Sequence, residues 1–330
     1  MVNNKNIAIF IDARRESGGE YQESLNRIEN IKKNNKEKLK FLIICQSKKL
    51  NLDLEKKFDI DVKYFSMNLL QRYICYMRNH DPLIRRLKKY FFFKNKLENF
   101  LKKIKVDLVY FTGPSPYSLY LEDTDFIITV PDVSHREELG FSEWTKSREF
   151  ERLAEILRKS TIKAVAVITN AEIIKDKISF FYSVSKDRIF VINQQPSLSI
   201  SKFDKIDKIL LEKFKKLYSL PQKYIFYPAM YLPHKNHKYV IDSIKILKSE
   251  YKINLCAVFC GRGSGYLKKI KKYVYEQKQN ENIFFLDFVK NEYLPYLYLN
   301  SLALVMPTYS GPTNIPPLEA FKMEIPVLYS

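Results

Sequence analysis

Short runs of β-branched and aromatic residues alternate along this chain with longer stretches whose apolar positions recur every three or four residues. The short runs predict strands over 7–11, 39–45, 62–65, 106–111, 126–130, 165–169 and 188–192. After Pro221 the same rhythm resumes, predicting strands over 224–227, 253–259, 283–288, 302–306 and 327–329. Stretches at helical spacing lie between them, among them 21–33, 147–159, 237–248, 266–277 and 317–323. Strand and helix in alternation imply parallel sheets covered by helices. The two series meet at a polar stretch holding a lysine-rich helix between Pro196 and Pro221. The organisation read from this is a first domain over 1–195, a linker over 196–221 and a second domain over 222–330. The last strand reaches the final residues, so the second domain reads as incomplete, its chain cut short.

Composition narrows the class. With 46% apolar and 28% charged residues over 330 positions, the chain carries enough side-chain volume for two cores and is not disordered. No apolar run has the length of a bilayer span, and the polar start lacks the features of a signal peptide, so a cytoplasmic location is expected. Cys45, Cys75, Cys256 and Cys260 form no CxxC pair and read as buried thiols, with neither a disulfide nor a zinc framework. The formal net charge of +19 calls for an anionic partner: a phosphorylated ligand, an anionic lipid or a nucleic acid.

Three loops carry candidate chemistry. The segment TYSGPTNIPPLEA (308–320) follows a strand and leads into a helix, with Asn314 as N-cap and two prolines in the first turn. A strand, a tight loop and a helix N-terminus make an anion site, because backbone N–H groups and the positive dipole end face the ligand. Glu319, expected in the first helical turn, complements that dipole and offers two oxygens to a ribose diol. DARRESGGEY (12–21) places Gly18 and Gly19 at the opening of another helix, a second phosphate-type turn. PDVSHREELGFSE (131–143) carries Asp132 and His135 after a strand, and an imidazole titrating near neutrality suits hydroxyl chemistry. His234 and His237 flank Lys235, without the further ligands a metal would need nearby, and read as cleft or capping residues.

The 308–320 segment with PPLEAFKMEIPVLYS (316–330) resembles the donor loop of the retaining glycosyltransferases of family 4. Three further stretches resemble that family in the same order: YPAMYLPHKNH (227–237), CGRGSG (260–265) and FLDFV (285–289). The family pattern has a glutamate eight residues before Glu319, where this chain has Gly311 and reads GPTN. The resemblance implies a GT-B fold of two facing Rossmann-like domains, with 1–195 on the acceptor side and 222–330 as the nucleotide-sugar donor domain. It implies transfer of a sugar from a nucleotide-diphosphate sugar to a glycan or lipid-linked acceptor, with retention, no cofactor and no obligatory metal. Donor-binding residues would be Gly18, Gly19, Lys235, Arg262, Gly263, Thr313, Asn314, Ile315 and Glu319. Lys235 would act on the diphosphate, while Asp132 and His135 would address the sugar or acceptor. The context implied is surface polysaccharide or lipopolysaccharide synthesis.

The charge is concentrated. Between residues 72 and 105 stand eleven Lys and Arg against Asp81 and Glu98, interleaved with seven aromatics. Basic and aromatic residues on helical segments read as an interfacial surface, with Arg85, Arg86, Lys88 and Lys89 at its centre. The expected partner is an anionic membrane at the inner face of the plasma membrane, reached peripherally. Nucleic acid is not expected, since none of its recognition motifs is present. The competing reading is a catalytically silent nucleotide-binding protein or scaffold.

Overall fold

The computed structural model describes residues 5–13, 18–35, 39–87, 95–145, 148–263, 265–311 and 314–330. The chain divides into two compact units. One comprises Met1–Arg15, Ser24–Glu137 and Arg148–Asn193; the other comprises Glu16–Glu23, Glu138–Ser147 and Gln194–Ser330.

The first unit is built on β1 (Asn6–Ile11), β2 (Lys40–Cys45), β3 (Val62–Tyr64), β4 (Leu108–Phe111), β5 (Asp125–Thr129), β6 (Ala166–Thr169) and β7 (Ile189–Val191). All pairs are parallel, in the order β3-β2-β1-β4-β5-β6-β7, with Asn6 opposite Lys40 and Ile7 opposite Leu108. Residues 8–11 of β1 are buried without interruption, as in a strand covered on both faces. Ala8, Phe10, Ile44, Val109, Phe111, Ile128 and Val167 form the centre of one continuous core. A buried carboxylate pins the far side. Glu98 accepts backbone N–H groups of Glu122, Asp123 and Thr124 at 2.7, 3.1 and 3.2 Å and the Thr124 hydroxyl at 2.7 Å.

The second unit holds β8 (Tyr224–Pro228), β9 (Cys256–Cys260), β10 (Ile283–Leu286), β11 (Ala303–Met306) and β12 (Val327–Tyr329), parallel in the order β10-β9-β8-β11-β12. Counted within each unit, both sheets therefore begin 3-2-1-4-5. Alternation along β8 sends Tyr224 and Phe226 into one core and Tyr227 into another on the opposite face. The stretch expected as a linker, 196–221, instead packs into this unit. Ile200 and Phe214 belong to the core of Tyr224, Phe226 and Tyr296. Its apolar helix face found a sheet to cover.

Every expected strand is present, with several ends trimmed for a physical reason. The strand expected from residue 106 begins at Leu108 because Val106 N–H closes the preceding helix onto Leu101 O at 3.0 Å. Likewise the strand expected from 253 begins at Cys256, since Ile253 N–H bonds Leu247 O at 3.0 Å. Helix closure took those donors from the ladder. The four cysteines are free, and all but Cys256 are buried.

One close approach governs the second sheet's loops. A Cβ at Gly261, just past β9, would stand 2.2 Å from Ala229 O and 2.7 Å from Ala229 C. Only a residue without a side chain lets these two turns lie together. Gly261→Ala should therefore destabilise the second unit by about 1–3 kcal/mol, the usual cost of forcing atoms into a filled space. Urea unfolding measures this, and an unchanged midpoint would mean the turns are free to separate.

Candidate active site

The parallel arrangement sets the loops after β8, β9 and β11 side by side at one edge of the second sheet. After β8 the chain turns through Ala229–Leu232 into a short 3-10 turn, Pro233–Lys235, and then a helix, His237–Ser249. Asn236 joins them in the left-handed conformation, φ 53°. The Tyr227 hydroxyl donates to Lys235 O at 2.6 Å and fixes this corner from below. After β11 the chain passes Gly311, at φ 115°, and enters the helix Ile315–Lys322. The two loops are stitched together by backbone, with Tyr309 N–H donating to His234 O at 2.9 Å.

Across this junction Lys235 Nζ donates to Asn314 Oδ1 at 3.2 Å. The Asn314 amide donates in turn to Gly311 O at 2.7 Å and to the Tyr329 hydroxyl at 2.9 Å. Asn314 occupies the N-cap position as expected, yet its side chain makes no cap bond to the helix. It holds the lysine instead. Pro316 and Pro317 have no N–H to give, so the positive character here rests on the Lys235 ammonium and the helix dipole more than on a fan of amides. Arg262 and Gly263 follow β9 at the same edge and are exposed; Ile315 is buried at the helix start. Thr313 lies outside the described residues. Gly18, at φ 61°, precedes the helix Gly19–Asn34, and both glycines fall in the segment Glu16–Glu23 of the second unit.

Glu319 differs from expectation. It stands in the second helical turn, 4% exposed, and both oxygens are engaged. The Tyr298 hydroxyl donates to Oε2 at 2.7 Å and Ser197 N–H to Oε1 at 3.3 Å. Burial pushes the Glu319 carboxyl above its ordinary range, against the pull of those two donors. The carboxylate thus ties its helix to the segment entering the unit. Nothing local in the sequence marks Ser197 or Tyr298 as its partners.

His135 also departs from expectation. Asp132 Oδ1 accepts from Ser134 N–H at 3.0 Å and caps the turn Ser134–Glu137, which drives the imidazole inward. The ring is 1% exposed, with Nε2 2.8 Å from the Tyr182 hydroxyl. Burial lowers its pKa to about 4, outweighing the attraction of Asp132. It is a neutral core imidazole of the first unit, not a near-neutral titrating group at a ligand surface. His237 is similar rather than a cleft residue. Its ring packs between Tyr227 and Phe259, with centroids at 4.8 and 5.1 Å, and burial brings its pKa to about 3. His234 keeps a half-exposed place beside Lys235. Among the described residues no group of three His, Cys, Asp or Glu could hold a metal ion.

The basic stretch is partly spent. Arg78 pairs with Glu122 at 2.8 Å, Lys102 with Asp123 at 3.0 Å, and Arg72 donates to the Tyr117 hydroxyl at 3.1 Å. Arg86 is exposed. Lys88, Lys89 and the Arg85 side chain lie outside the described residues. The more visible feature of this surface is apolar: Leu69, Leu70, Tyr73 and Leu83 are 83%, 65%, 60% and 68% exposed.

Residues 209–330 match the family described as Glycosyl transferases group 1. The O-antigen chain mannosyltransferase RfbU of Salmonella typhimurium is 29% identical over 175 residues, 53% of this chain and 44% of that protein. The chain thus spans less than half the length of this curated relative. Among solved structures, Anabaena HepE in complex with UDP-glucose superimposes with a TM-score of 0.67 at 15% identity, covering 98% of this chain and 80% of that one. WaaG, a glycosyltransferase involved in lipopolysaccharide biosynthesis, gives 0.66 at 15% identity, with 98% and 80% covered. A glycosyltransferase from Rickettsia africae gives 0.65 at 17% identity, with 99% and 79% covered. The architecture is that of the GT-B glycosyltransferases.

The two buried histidines set a pH dependence of stability. Their folded pKa values lie below the unfolded value near 6.5, so between about pH 4 and 6.5 the unfolded chain binds protons that the folded chain refuses. Stability is therefore complete above pH 6.5 and falls as pH drops toward 4. The expected loss from pH 7 to pH 5 is roughly 1–2 kcal/mol for each histidine. Denaturant midpoints at the two pH values measure it, and His135→Gln should flatten the difference. A pH-independent midpoint would contradict this burial.

Proposed function

We propose that this protein is a retaining glycosyltransferase of the family-4 type. It would move a sugar from a nucleotide-diphosphate sugar to a glycan or lipid-linked acceptor, in surface polysaccharide or lipopolysaccharide synthesis. The observation that carries the reading is the Lys235–Asn314 bridge at the edge of the second sheet, inside the stretch matching group 1 glycosyl transferases. Negative charge grows on the departing diphosphate in such a transfer, and a fixed ammonium beside a helix N-terminus stabilises it where it develops. Gly311 and Ile315 let backbone approach the phosphates, and Arg262 and Gly263 flank them. Glu319 would take a ribose hydroxyl by trading its bond from Ser197 or Tyr298. Asp132 suits contact with the sugar better than His135, which is sealed from solvent. The complex of HepE with UDP-glucose and the mannosyltransferase activity named for RfbU support the same substrate class.

Nucleotide sugars screened by product mass spectrometry, with calorimetry for nucleoside diphosphates, test the proposal. Lys235→Ala should lower turnover by about 10²-fold or more while costing affinity far less, as expected of a group acting on the transition state. Equal losses in both would make Lys235 a ground-state anchor. Tight nucleotide binding with no turnover for any donor would leave a nucleotide-binding scaffold.

The same reading places the protein at the cytoplasmic face of a membrane, bound peripherally. Among the described residues no helix is long and apolar enough to cross a bilayer. The exposed Leu69, Leu70, Tyr73 and Leu83, next to Arg86, suit shallow insertion among anionic headgroups. Leu69→Asp with Leu83→Asp should abolish co-sedimentation with anionic vesicles and leave nucleotide affinity unchanged. Wild-type binding should weaken as salt shortens the Debye length below about 8 Å. Wild-type protein that ignores anionic vesicles at low salt would rule out this surface.

A further inference from the structure

Both sheets reverse their strand order between the first and fourth strands of each unit, and in the second sheet that reversal is bridged by Lys235 and Asn314. The corner carrying Lys235 is held by the Tyr227 hydroxyl from below and by Tyr309 N–H from the neighbouring loop. A further contact comes from far away in sequence. The segment Glu138–Ser147 belongs to the second unit, although the chain up to Glu137 and from Arg148 onward belongs to the first. Phe141 attaches it. Its ring lies 6.0 Å from the His234 ring at 67° and 5.9 Å from the Tyr309 ring at 32°, centroid to centroid. At such spacings edge-on and tilted rings attract one another.

A tight turn presents this ring. Phe141 N–H donates to Glu138 O at 3.2 Å, and Trp144 N–H donates to Phe141 O at 3.1 Å, within the short helix Ser142–Thr145. Leu139, Gly140, Ser142 and Thr145 are exposed, whereas Phe141 is half-buried, so it is the phenylalanine that turns toward the loops. Tyr309 is 67% exposed, and a ring so open to water has few restraints besides Phe141. His234 and Tyr309 stand on the loops after β8 and β11, the two loops that the Lys235–Asn314 bond spans. Phe141 therefore wedges against both ends of that bridge. It lies outside the 209–330 stretch that matches group 1 glycosyl transferases.

We propose that Phe141 is a positioning residue for Lys235, its ring bracing His234 and Tyr309 so that the ammonium keeps one direction. Phe141 acts through those two side chains rather than on the reacting atoms. The inference deepens the proposed function and rests on it, because a fixed direction matters to turnover only where Lys235 meets a departing diphosphate. A displacement of about 1 Å at such a group costs up to about a hundredfold in rate.

Carbon NMR of the full chain, isotopically labelled at lysine Cε, reads the brace without any ligand, and Lys235→Arg identifies the Lys235 signal by its disappearance. In the wild type that signal should stand apart from the envelope of mobile lysines, and in Phe141→Ala it should merge with it. Turnover of a nucleotide sugar should fall about tenfold or more in Phe141→Ala, while UDP affinity by calorimetry stays within about threefold. In a Lys235→Ala background the same change should cost nothing further, since the two residues act as one unit. Phe141→Tyr, which keeps the ring, should recover most of the loss. Phe141→Leu, which keeps apolar volume without a ring, stands in if the alanine variant fails to fold. An unmoved Lys235 signal in a folded variant, or losses that add to those of Lys235→Ala, would overturn the brace and leave Phe141 as packing. A signal that merges as expected in a protein that binds no UDP would support the brace and count against the donor reading instead.

Discussion

A parallel sheet buried on both faces leaves its chemistry nowhere to go except the loops beyond its strand ends. Both units of this protein obey that constraint. In the second unit it gathers Lys235, Gly311, Asn314 and Arg262 at one edge, although they come from three separate loops. The gathering depends on close backbone packing. Gly261 lets the β9 turn lie on Ala229, and the Tyr309–His234 bond joins the β11 loop to the β8 loop. Without those backbone contacts the Lys235 ammonium would have no fixed direction, because a lysine side chain loses about 2 kcal/mol of rotamer entropy when held.

Burial decides what each titratable group can do. His135 and His237 lie among aromatic rings, so desolvation keeps both neutral and removes them from acid–base work near neutral pH. Glu319 is equally buried, but two donors face it, and such partners make a buried carboxylate tolerable. Lys235 is only half-buried and so keeps a charge that water does not fully screen. The order of burial along this unit, imidazole deepest and ammonium shallowest, follows the cost of desolvating a charge that cannot be given up. It leaves the Lys235 and Arg262 cations, and neither imidazole, at the ligand edge.

Much of this was legible in the sequence. Apolar runs located every strand, because a doubly covered strand must be apolar throughout. The misplaced strand starts at residues 106 and 253 came from helix closures that compete for the same N–H groups. Lys235 and Asn314 were legible through turn and cap chemistry, but their mutual bond was not, since 79 residues separate them. His135 was misread because its partner Tyr182 is 47 residues away and on another element. Charge counting over 72–105 overstated the free cations, several of which the fold spends on Glu122, Asp123 and Tyr117. The bonds of Asp12 to Gln46 and Ser115 were not legible, since 34 and 103 residues separate the partners.

The two units show what a fold fixes and what it leaves open. Their sheets share one strand order, and each has a side-chain hydrogen bond spanning the reversal. The order follows from right-handed crossovers and buried strands, constraints that act on backbone and apolar residues. The spanning residues are under no such constraint, since they lie beyond the last strand residue. In one unit the spanning pair is Asp12 and Ser115, in the other Lys235 and Asn314. Ligand chemistry in this architecture is therefore set by a few residues past the strand ends, while every strand keeps its place.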